Sequence, residues 1–116
     1  MKVGIQGTKA FDDYNVFLRA MRVALSEIKE GDEEFFIYTS GPTRVNAFAM
    51  EFINITERSL KSQGIRTRVF KLPPKALKDS IHTLDYFAFF SKPKESTSDL
   101  VREAEDKDIE VGIFRY

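Results

Sequence analysis

The chain has 116 residues, which suits one small domain with one core and excludes two separate cores. Hydrophobic residues make up 42% of the chain and charged residues 31%, a composition that excludes a disordered protein. The 18 basic and 18 acidic side chains balance, so the protein has no overall charge that would attract it to anionic polymers or membranes. Cysteine is absent, which excludes disulfides and thiol catalysis.

The first predicted strand, residues 3–6, is short and apolar, and it ends at Gly7. Apolar residues then recur at helical spacing over 12–30, which predicts an amphipathic helix with Asp12 or Asp13 as its N-cap. An apolar strand that breaks at a glycine into a capped helix is typical of a binding place for anionic ligands.

A second strand is predicted over 34–40, where phenylalanine, isoleucine and tyrosine are frequent, and it stops at Gly41. The helix after it carries one apolar stripe and ends at Gly64. Residues 65–72 alternate between two faces, which is typical of a strand buried on one face or lying at a sheet edge. A turn or two of helix is expected over 75–83.

Residues 86–90 are apolar on both faces, which predicts a central parallel strand covered by helices above and below. This longest apolar run is far below the about 20 residues that span a bilayer, and we find no signal-peptide pattern, so we expect a cytoplasmic protein. A short helix through about residue 106 follows, capped by Thr97 or Ser98, and 109–116 form the last predicted strand.

Strands and helices thus alternate along the whole chain. This alternation predicts a single α/β domain over residues 1–116, Rossmann-like, in which a five-stranded, mainly parallel sheet lies between two helical layers. In such three-layer α/β/α folds, ligands bind beyond the carboxyl ends of the strands, at the point where the strand order reverses.

Candidate ligand residues occupy the turns after predicted strands 1, 2 and 4. Backbone amides and hydroxyl groups in such turns donate hydrogen bonds to phosphate, and a lysine neutralises its charge. The residues are Thr8, Lys9, Ser40, Gly41, Ser96 and Thr97. Helix caps and turns use the same residue types, so a purely structural role stays open. Asp85 is equally compatible with orienting a ribose or base and with opening a strand.

Three segments of the chain resemble the Rossmannoid SLOG superfamily. The sequence Gly-Thr-Lys-Ala-Phe-Asp-Asp-Tyr at 7–14 looks like the opening of its small members, and 40–47 looks like a shortened Ser-Gly turn with Asn46 in place of the usual Asp. The third segment is an Asp before an apolar strand, 85–90, followed by a loop that closes in a Ser-Thr pair. The chain is also similar to small uncharacterised proteins of large tailed bacteriophages.

The resemblance implies a domain that recognises a nucleotide or nucleotide-derived signal, with strand order 3-2-1-4-5 and no cofactor. It extends the candidate ligand residues to Gly7, Thr43, Asn46, Asp85 and Ser91. Enzymatic relatives that cleave N-glycosidic bonds place a glutamate three residues after the Gly-Thr turn, where this chain has Leu100. Glu103, one helical turn further on, is the remaining candidate acid. The resemblance therefore favours binding without turnover over N-glycosidic hydrolysis or transfer.

His82 is the only histidine, and the chain has no second histidine or cysteine to complete a metal site. A surface or helix-end position is therefore favoured over metal binding for this side chain. A single histidine outside any motif also supports no Ser-His-Asp triad. We predict no metal site.

Charge is unevenly distributed although it sums to zero. Residues 58–78 include no acid, whereas 95–110 are mainly acidic. The basic residues of the first segment are Arg58, Lys61, Arg66, Arg68, Lys71, Lys75 and Lys78. With the superfamily strand order the two segments lie at opposite sheet edges, which favours an edge-to-edge homodimer or an acidic partner.

The basic edge, together with Phe70, is also compatible with tracking a nucleic-acid backbone. Our second hypothesis is therefore an interaction protein that has lost its small ligand and binds a host or phage macromolecule through this edge. The alternative is a set of solvated charges that keeps an edge strand from aggregating.

Overall fold

The computed structural model describes residues 1–41 and 43–116, the side chain of Thr43 excepted. Five strands in this part of the chain form one parallel sheet with the order β3-β2-β1-β4-β5. The strands are β1 (Lys2–Gly7), β2 (Glu34–Ser40), β3 (Arg66–Lys71), β4 (Tyr86–Ser91) and β5 (Glu110–Arg115). This arrangement confirms the predicted Rossmann-like α/β fold and strand order, and it brings all carboxyl ends to one end of the sheet.

Helices cover both faces of the sheet. They are α1 (Tyr14–Ser26), α2 (Thr43–Ser62), α3 (Pro74–Asp79) and α4 (Asp99–Asp106), with a 3₁₀ turn at Ile81–Thr83. Buried side chains form one cluster between the sheet and the α1/α2 layer and a second between the sheet and the α3/α4 layer. Within the described residues, no helix is long and apolar enough to cross a membrane.

Along each central strand, successive side chains point alternately to the α1/α2 layer and to the α3/α4 layer. Val3 and Ile5 of β1 belong to the cluster beneath α1 and α2, so Gln6, next along the strand, points toward α3 and α4. In β4 Phe87 and Phe89 face the α3/α4 layer and Phe90 faces the α1/α2 layer. Every residue of β4 is buried, which confirms the prediction of a central strand covered on both sides.

The first helix is shorter than the predicted 12–30. It begins at Tyr14, after Asp13, whose carboxylate accepts a hydrogen bond from the amide of Val16 at 3.2 Å and so confirms one of the two expected caps. It ends at Ser26, because Asp32 accepts a hydrogen bond from the amide of Lys29 at 2.8 Å and holds the following segment in a turn. Local side-chain bonds thus replace the last predicted helical turn.

Aromatic side chains fill the cluster beneath α1 and α2. The rings of Phe11 and Phe90 stack with their centres 4.6 Å apart, and Phe17 lies 5.6 Å from Phe90. All three side chains are fully buried. Because Phe11 belongs to the turn after β1 and Phe90 to β4, this stack fixes that turn against the centre of the sheet.

Tyr86, at the start of β4, is buried, and a side chain at Gly112 of the adjacent β5 would collide with its hydroxyl. Burial, together with the carboxylates of Glu110 and Glu27, raises the pKa of Tyr86 from 10.0 to about 12. Below pH 10 the Tyr86 side chain is neutral in both the folded and the unfolded protein. Between pH 10 and about 12 the unfolded chain releases the phenol proton and the folded protein retains it, so the free energy of unfolding falls as the pH rises.

We therefore expect Tyr86 to contribute a loss of about 2–3 kcal/mol in the free energy of unfolding across that window. Urea melts of the wild type and of Tyr86→Phe at several alkaline pH values measure it. The variant, which has no phenol at this position, is expected to lose less stability. Parallel losses in the two proteins would show that this phenol does not contribute.

Candidate functional site

The turns after β1 and β2 lie against each other at the carboxyl end of the sheet. A Cβ placed on Gly41 would lie 3.6 Å from the carbonyl oxygen of Gly7, and Gly41 has a φ of 113°, a conformation that favours glycine. A side chain at Gly7 would collide with Val45 of α2. Gly7 thus permits a close approach of the backbone to α2, Gly41 permits the backbone conformation of the turn, and the structure brings both together with Ser40.

Two buried polar groups beside these turns have no hydrogen-bond partner among the described residues. They are Oε1 of Gln6 and Oγ of Ser40; a third such group, the hydroxyl of Tyr14, lies on the other side of the sheet, against the α1/α2 cluster. Gln6 and Ser40 are neighbours across β1 and β2, and both point toward the α3/α4 layer. Ser40 is 1% exposed. Since a buried polar atom without a partner costs about 1–3 kcal/mol, this pair requires an explanation.

A cavity of about 350 Å³ lies next to Gln6 and is called here the α3/α4 cavity. It is lined by Gln6, Pro74, Lys75, Lys78, Ser98, Asp99 and Leu100. Its walls are the first turns of α3 and α4, and its base is the end of β1, where the strand order reverses between β1 and β4. This is the position at which open parallel sheets bind their ligands.

The charge of the α3/α4 cavity is mainly positive. Lys75 and Lys78 are exposed, and neither forms an ion pair with a described carboxylate. The one acid of the lining, Asp99, is paired with Arg102 on the next turn of α4. Both ammonium groups therefore remain available to an anionic ligand.

The hydroxyl of Ser98 caps α4 at the rim of the cavity. Its oxygen accepts a hydrogen bond from the amide of Val101 at 3.4 Å, which confirms Ser98 as the cap that the sequence offered as an alternative to Thr97. The hydroxyl proton is not used by this bond. Ser98 can therefore cap the helix and donate to a ligand at the same time.

The turns after β1 and β4 are instead closed by contacts within the chain. Thr8 donates from its backbone amide to the carbonyl of Phe90 at 3.0 Å, and its hydroxyl bonds to the phenol of Tyr116 and to Glu95, the latter at 3.4 Å. Glu95 also accepts from the amide of Lys92. These bonds anchor the loop between β4 and α4, a role for Thr8 that the sequence did not suggest.

Ser91 and Arg115 complete this closure. The Arg115 guanidinium donates to the hydroxyl of Ser91 and, at 3.0 Å, to the carbonyl of Lys92. Ser91 is fully buried beneath this contact. The sequence placed Ser91 in the loop after residues 86–90, whereas it is the last residue of β4, and Arg115 of β5 already occupies its hydroxyl.

The remaining predicted ligand residues are dispersed. Lys9 and Ser96 are exposed and Thr97 is half-buried in the two loops just described. Asn46 accepts a hydrogen bond from Thr39, which faces the α1/α2 layer, so it lies on the other side of the sheet from the cavity. Thr43 opens α2, and its side chain lies outside the described part of the protein.

Asp85 lies at the opposite end of the sheet from the α3/α4 cavity. It precedes β4, and its carboxylate accepts a hydrogen bond from the amide of Lys2 at 2.7 Å. This contact ties the beginning of β1 to the beginning of β4. Of the two roles open for Asp85, opening a strand is the one this geometry provides.

Sequence reasoning missed Gln6 and assigned Lys75 and Lys78 to the basic edge of the sheet. A polar residue that points into the α3/α4 layer from an otherwise apolar strand was the available signal for Gln6. The two lysines carried no such signal. They reach the cavity because the short helix α3 turns back over the sheet toward β2 and α4.

Acid groups for hydrolysis do not converge on the cavity. Leu100 is buried in its wall, and Glu103, half-buried on α4, is not part of its lining. His82 is exposed in the 3₁₀ turn. Among residues 1–41 and 43–116, no group of three or more histidine, cysteine or acidic side chains is placed to hold a metal ion.

The two edges of the sheet differ in charge, as the strand order predicted. Arg66 and Arg68 lie on the edge strand β3, and the acidic residues of 95–110 lie on α4, on β5 and in the loops beside them. Arg66 is partly neutralised by Glu34 of β2 at 3.4 Å.

Comparison of the chain with protein-family models, with curated proteins and with solved structures gives no significant match.

Proposed function

We infer that this protein is a small SLOG-like domain that binds a nucleotide or nucleotide-derived molecule in the α3/α4 cavity without turning it over. The observation that carries this proposal is the unpartnered amide oxygen of Gln6, a residue that lines a basic cavity at the reversal of strand order. A polar ligand that reaches this amide supplies the missing partner and recovers the free energy that its isolation costs.

The residues that line the cavity would recognise a ligand both by charge and by hydrogen bonds. Lys75 and Lys78 attract phosphate, and the first turn of α4 offers free backbone amides and the Ser98 hydroxyl to the same group. The Gln6 amide can both donate and accept, which suits the edge of a base. Leu100 and Pro74 supply apolar contact.

The size of the cavity is sufficient for a single nucleotide. Small-molecule sites in proteins enclose about 300–1,000 Å³, and the α3/α4 cavity, at about 350 Å³, lies near the lower limit. A dinucleotide would extend beyond it. The proposal therefore favours mononucleotides and cyclic nucleotides over dinucleotide cofactors.

Thermal unfolding against a panel of nucleoside phosphates, cyclic nucleotides and nucleotide sugars tests this proposal. A ligand at 100 times its Kd is expected to stabilise the protein by about 2.7 kcal/mol. The double variant Lys75→Gln/Lys78→Gln is expected to weaken binding about tenfold or more, because it removes the charges that face phosphate.

The matched control is Lys61→Gln/Lys71→Gln, which makes the same change in net charge at residues that do not line the α3/α4 cavity. It is expected to retain the ligand-induced shift. If no member of the panel raises the melting temperature, or if both double variants reduce the shift equally, the proposal is wrong.

A second candidate function is that of a cytoplasmic interaction protein. The observation that favours it is the separation of basic β3 from the acidic region around β5, which supports an acidic macromolecular partner or the association of one copy's β3 with another copy's β5. In that case the cavity on the α3/α4 side is a remnant, and binding depends on salt concentration and not on nucleotides.

A further inference from the structure

Three aromatic side chains lie together on the α3/α4 side of the sheet, near its basic edge. We call this group, Phe36 and Tyr38 of β2 with Phe70 of β3, the aromatic face. The Tyr38 and Phe70 rings stack with their centres 4.9 Å apart and an angle of 12° between their planes. Phe36 meets Phe70 edge-on at 5.6 Å. The three rings thus form one continuous apolar surface.

This surface is only partly covered by the rest of the protein. All three rings are half-buried, whereas the core phenylalanines Phe17 and Phe90 are fully buried. Phe36 and Phe70 pack against neither of the two core clusters. The reason is that α3 has six residues and packs over β2, which leaves the edge strand β3 without a helix above it on this side.

Cations surround the aromatic face. The guanidinium carbon of Arg68 lies 4.8 Å from the centre of the Phe70 ring, close enough for a cation–π contact. Lys75 and Lys78 belong to α3, the helix beside the face, and are exposed. The nearest acid in the register is Glu34, at the amino end of β2, where it pairs with Arg66. The middle and the carboxyl end of the face are therefore basic.

We propose that the aromatic face binds single-stranded nucleic acid without strong sequence preference. Single strands are bound by this combination of chemistry: aromatic rings and arginine planes stack against bases, and cations along the same surface neutralise the phosphates. The guanidinium of Arg68 already lies over the Phe70 ring, and the same group can contact a base or a phosphate. A polyanion without bases, such as polyglutamate, would use the cations and leave the three rings without a partner.

This function is distinct from nucleotide binding in the α3/α4 cavity. The aromatic face is built on Phe36, Tyr38 and Phe70, whereas the unpartnered group of the cavity belongs to Gln6 of β1; Lys75 and Lys78 of α3 lie beside both. Substitutions of Arg68 and Phe70 therefore test the face, and substitution of Gln6 tests the cavity.

Fluorescence anisotropy with a labelled oligothymidine of about 12 nucleotides, a length within the range of known single-strand sites, measures the binding. The affinity is expected to fall as salt rises. Phe70→Leu removes the central ring of the aromatic face, which packs on Tyr38 and lies beneath Arg68, and it is expected to weaken binding about tenfold or more. Arg68→Gln is expected to weaken it and to reduce the slope of log K against log salt by about 0.7, the value for one phosphate contact with a single strand.

Arg22→Gln is the matched control, because Arg22 is exposed on α1, on the other side of the sheet, and carries the same charge. It is expected to bind like the wild type, as is Gln6→Leu in the cavity. Circular dichroism and the melting temperature show whether each variant is folded. Since Phe70 also packs on Tyr38, the exposed Arg68 provides the test that does not depend on packing.

Three results would overturn the proposal. The first is no change in anisotropy with the wild type at low salt. The second is an equal loss of affinity in Arg68→Gln and Arg22→Gln, which would indicate general attraction by charge. The third concerns competition by polyglutamate of the same charge as the oligonucleotide. If it displaces the oligonucleotide equally well from the wild type and from Phe70→Leu, the surface binds acidic protein.

Discussion

Replacing Phe90 by alanine is expected to lower the free energy of unfolding by about 3–5 kcal/mol. The side chain is fully buried in β4, stacked on Phe11 and close to Phe17 and Phe114. Its removal leaves a cavity among rigid rings that cannot collapse to fill it. Since small domains are stable by about 5–15 kcal/mol in total, this one change removes a large share. Equilibrium urea unfolding measures the loss.

Phe36→Ala is the matched control, because it removes the same side chain from the aromatic face. We expect a loss of about 1–2 kcal/mol there, since the ring is half-buried and lies outside both core clusters. Equal losses at the two positions would contradict the distinction between core rings and the aromatic face. A much smaller loss in Phe90→Ala would contradict the account of the core.

The central and edge strands could be predicted because the residue pattern of each reflects its environment, whereas the full strand order came from the family resemblance. The run 86–90 is apolar at every position, so it can only be central, and 65–72 alternates, so it can lie at an edge. The bounds of β2 are those predicted, because glycine and a change to polar residues limit it on both sides. Helix ends were less predictable, as α1 shows, because side-chain bonds such as that of Asp32 decide them.

The candidate site was less predictable, because its residues meet only through tertiary structure. Thr8 and Tyr116 are 108 positions apart in the chain, and no local pattern shows that their hydroxyl groups bond. In the sequence Lys75 and Lys78 belong to a basic segment, and only the position of α3 over the sheet shows that they line the cavity. Asp85 sits next to an apolar strand, but at its amino end, where the direction of the strand removes it from the cavity.

The unpartnered amide of Gln6 leads to the second large effect that we expect, which has opposite signs for stability and for binding. Gln6→Leu is expected to raise the free energy of unfolding of the ligand-free protein by about 1 kcal/mol, because it replaces a buried polar group that has no partner with an apolar group of similar size. The neighbouring Phe89 and Leu100 are apolar and buried, so leucine finds compatible contacts.

The same variant is expected to lose most of the stabilisation of about 2.7 kcal/mol that a ligand at 100 times its Kd gives the wild type, since the amide that would bond to the ligand is gone. Urea unfolding with and without the best nucleotide of the panel measures both effects. Gln63→Leu, at the exposed second glutamine, is the control and is expected to change neither quantity.

If Gln6→Leu destabilised the ligand-free protein, the amide would have a hydrogen-bond partner in solution and would no longer indicate a site. Were it to gain stability and keep the full ligand-induced shift, the ligand would bind elsewhere. A gain in stability coupled to a loss of binding is the combination that a site maintained at a cost to the fold predicts.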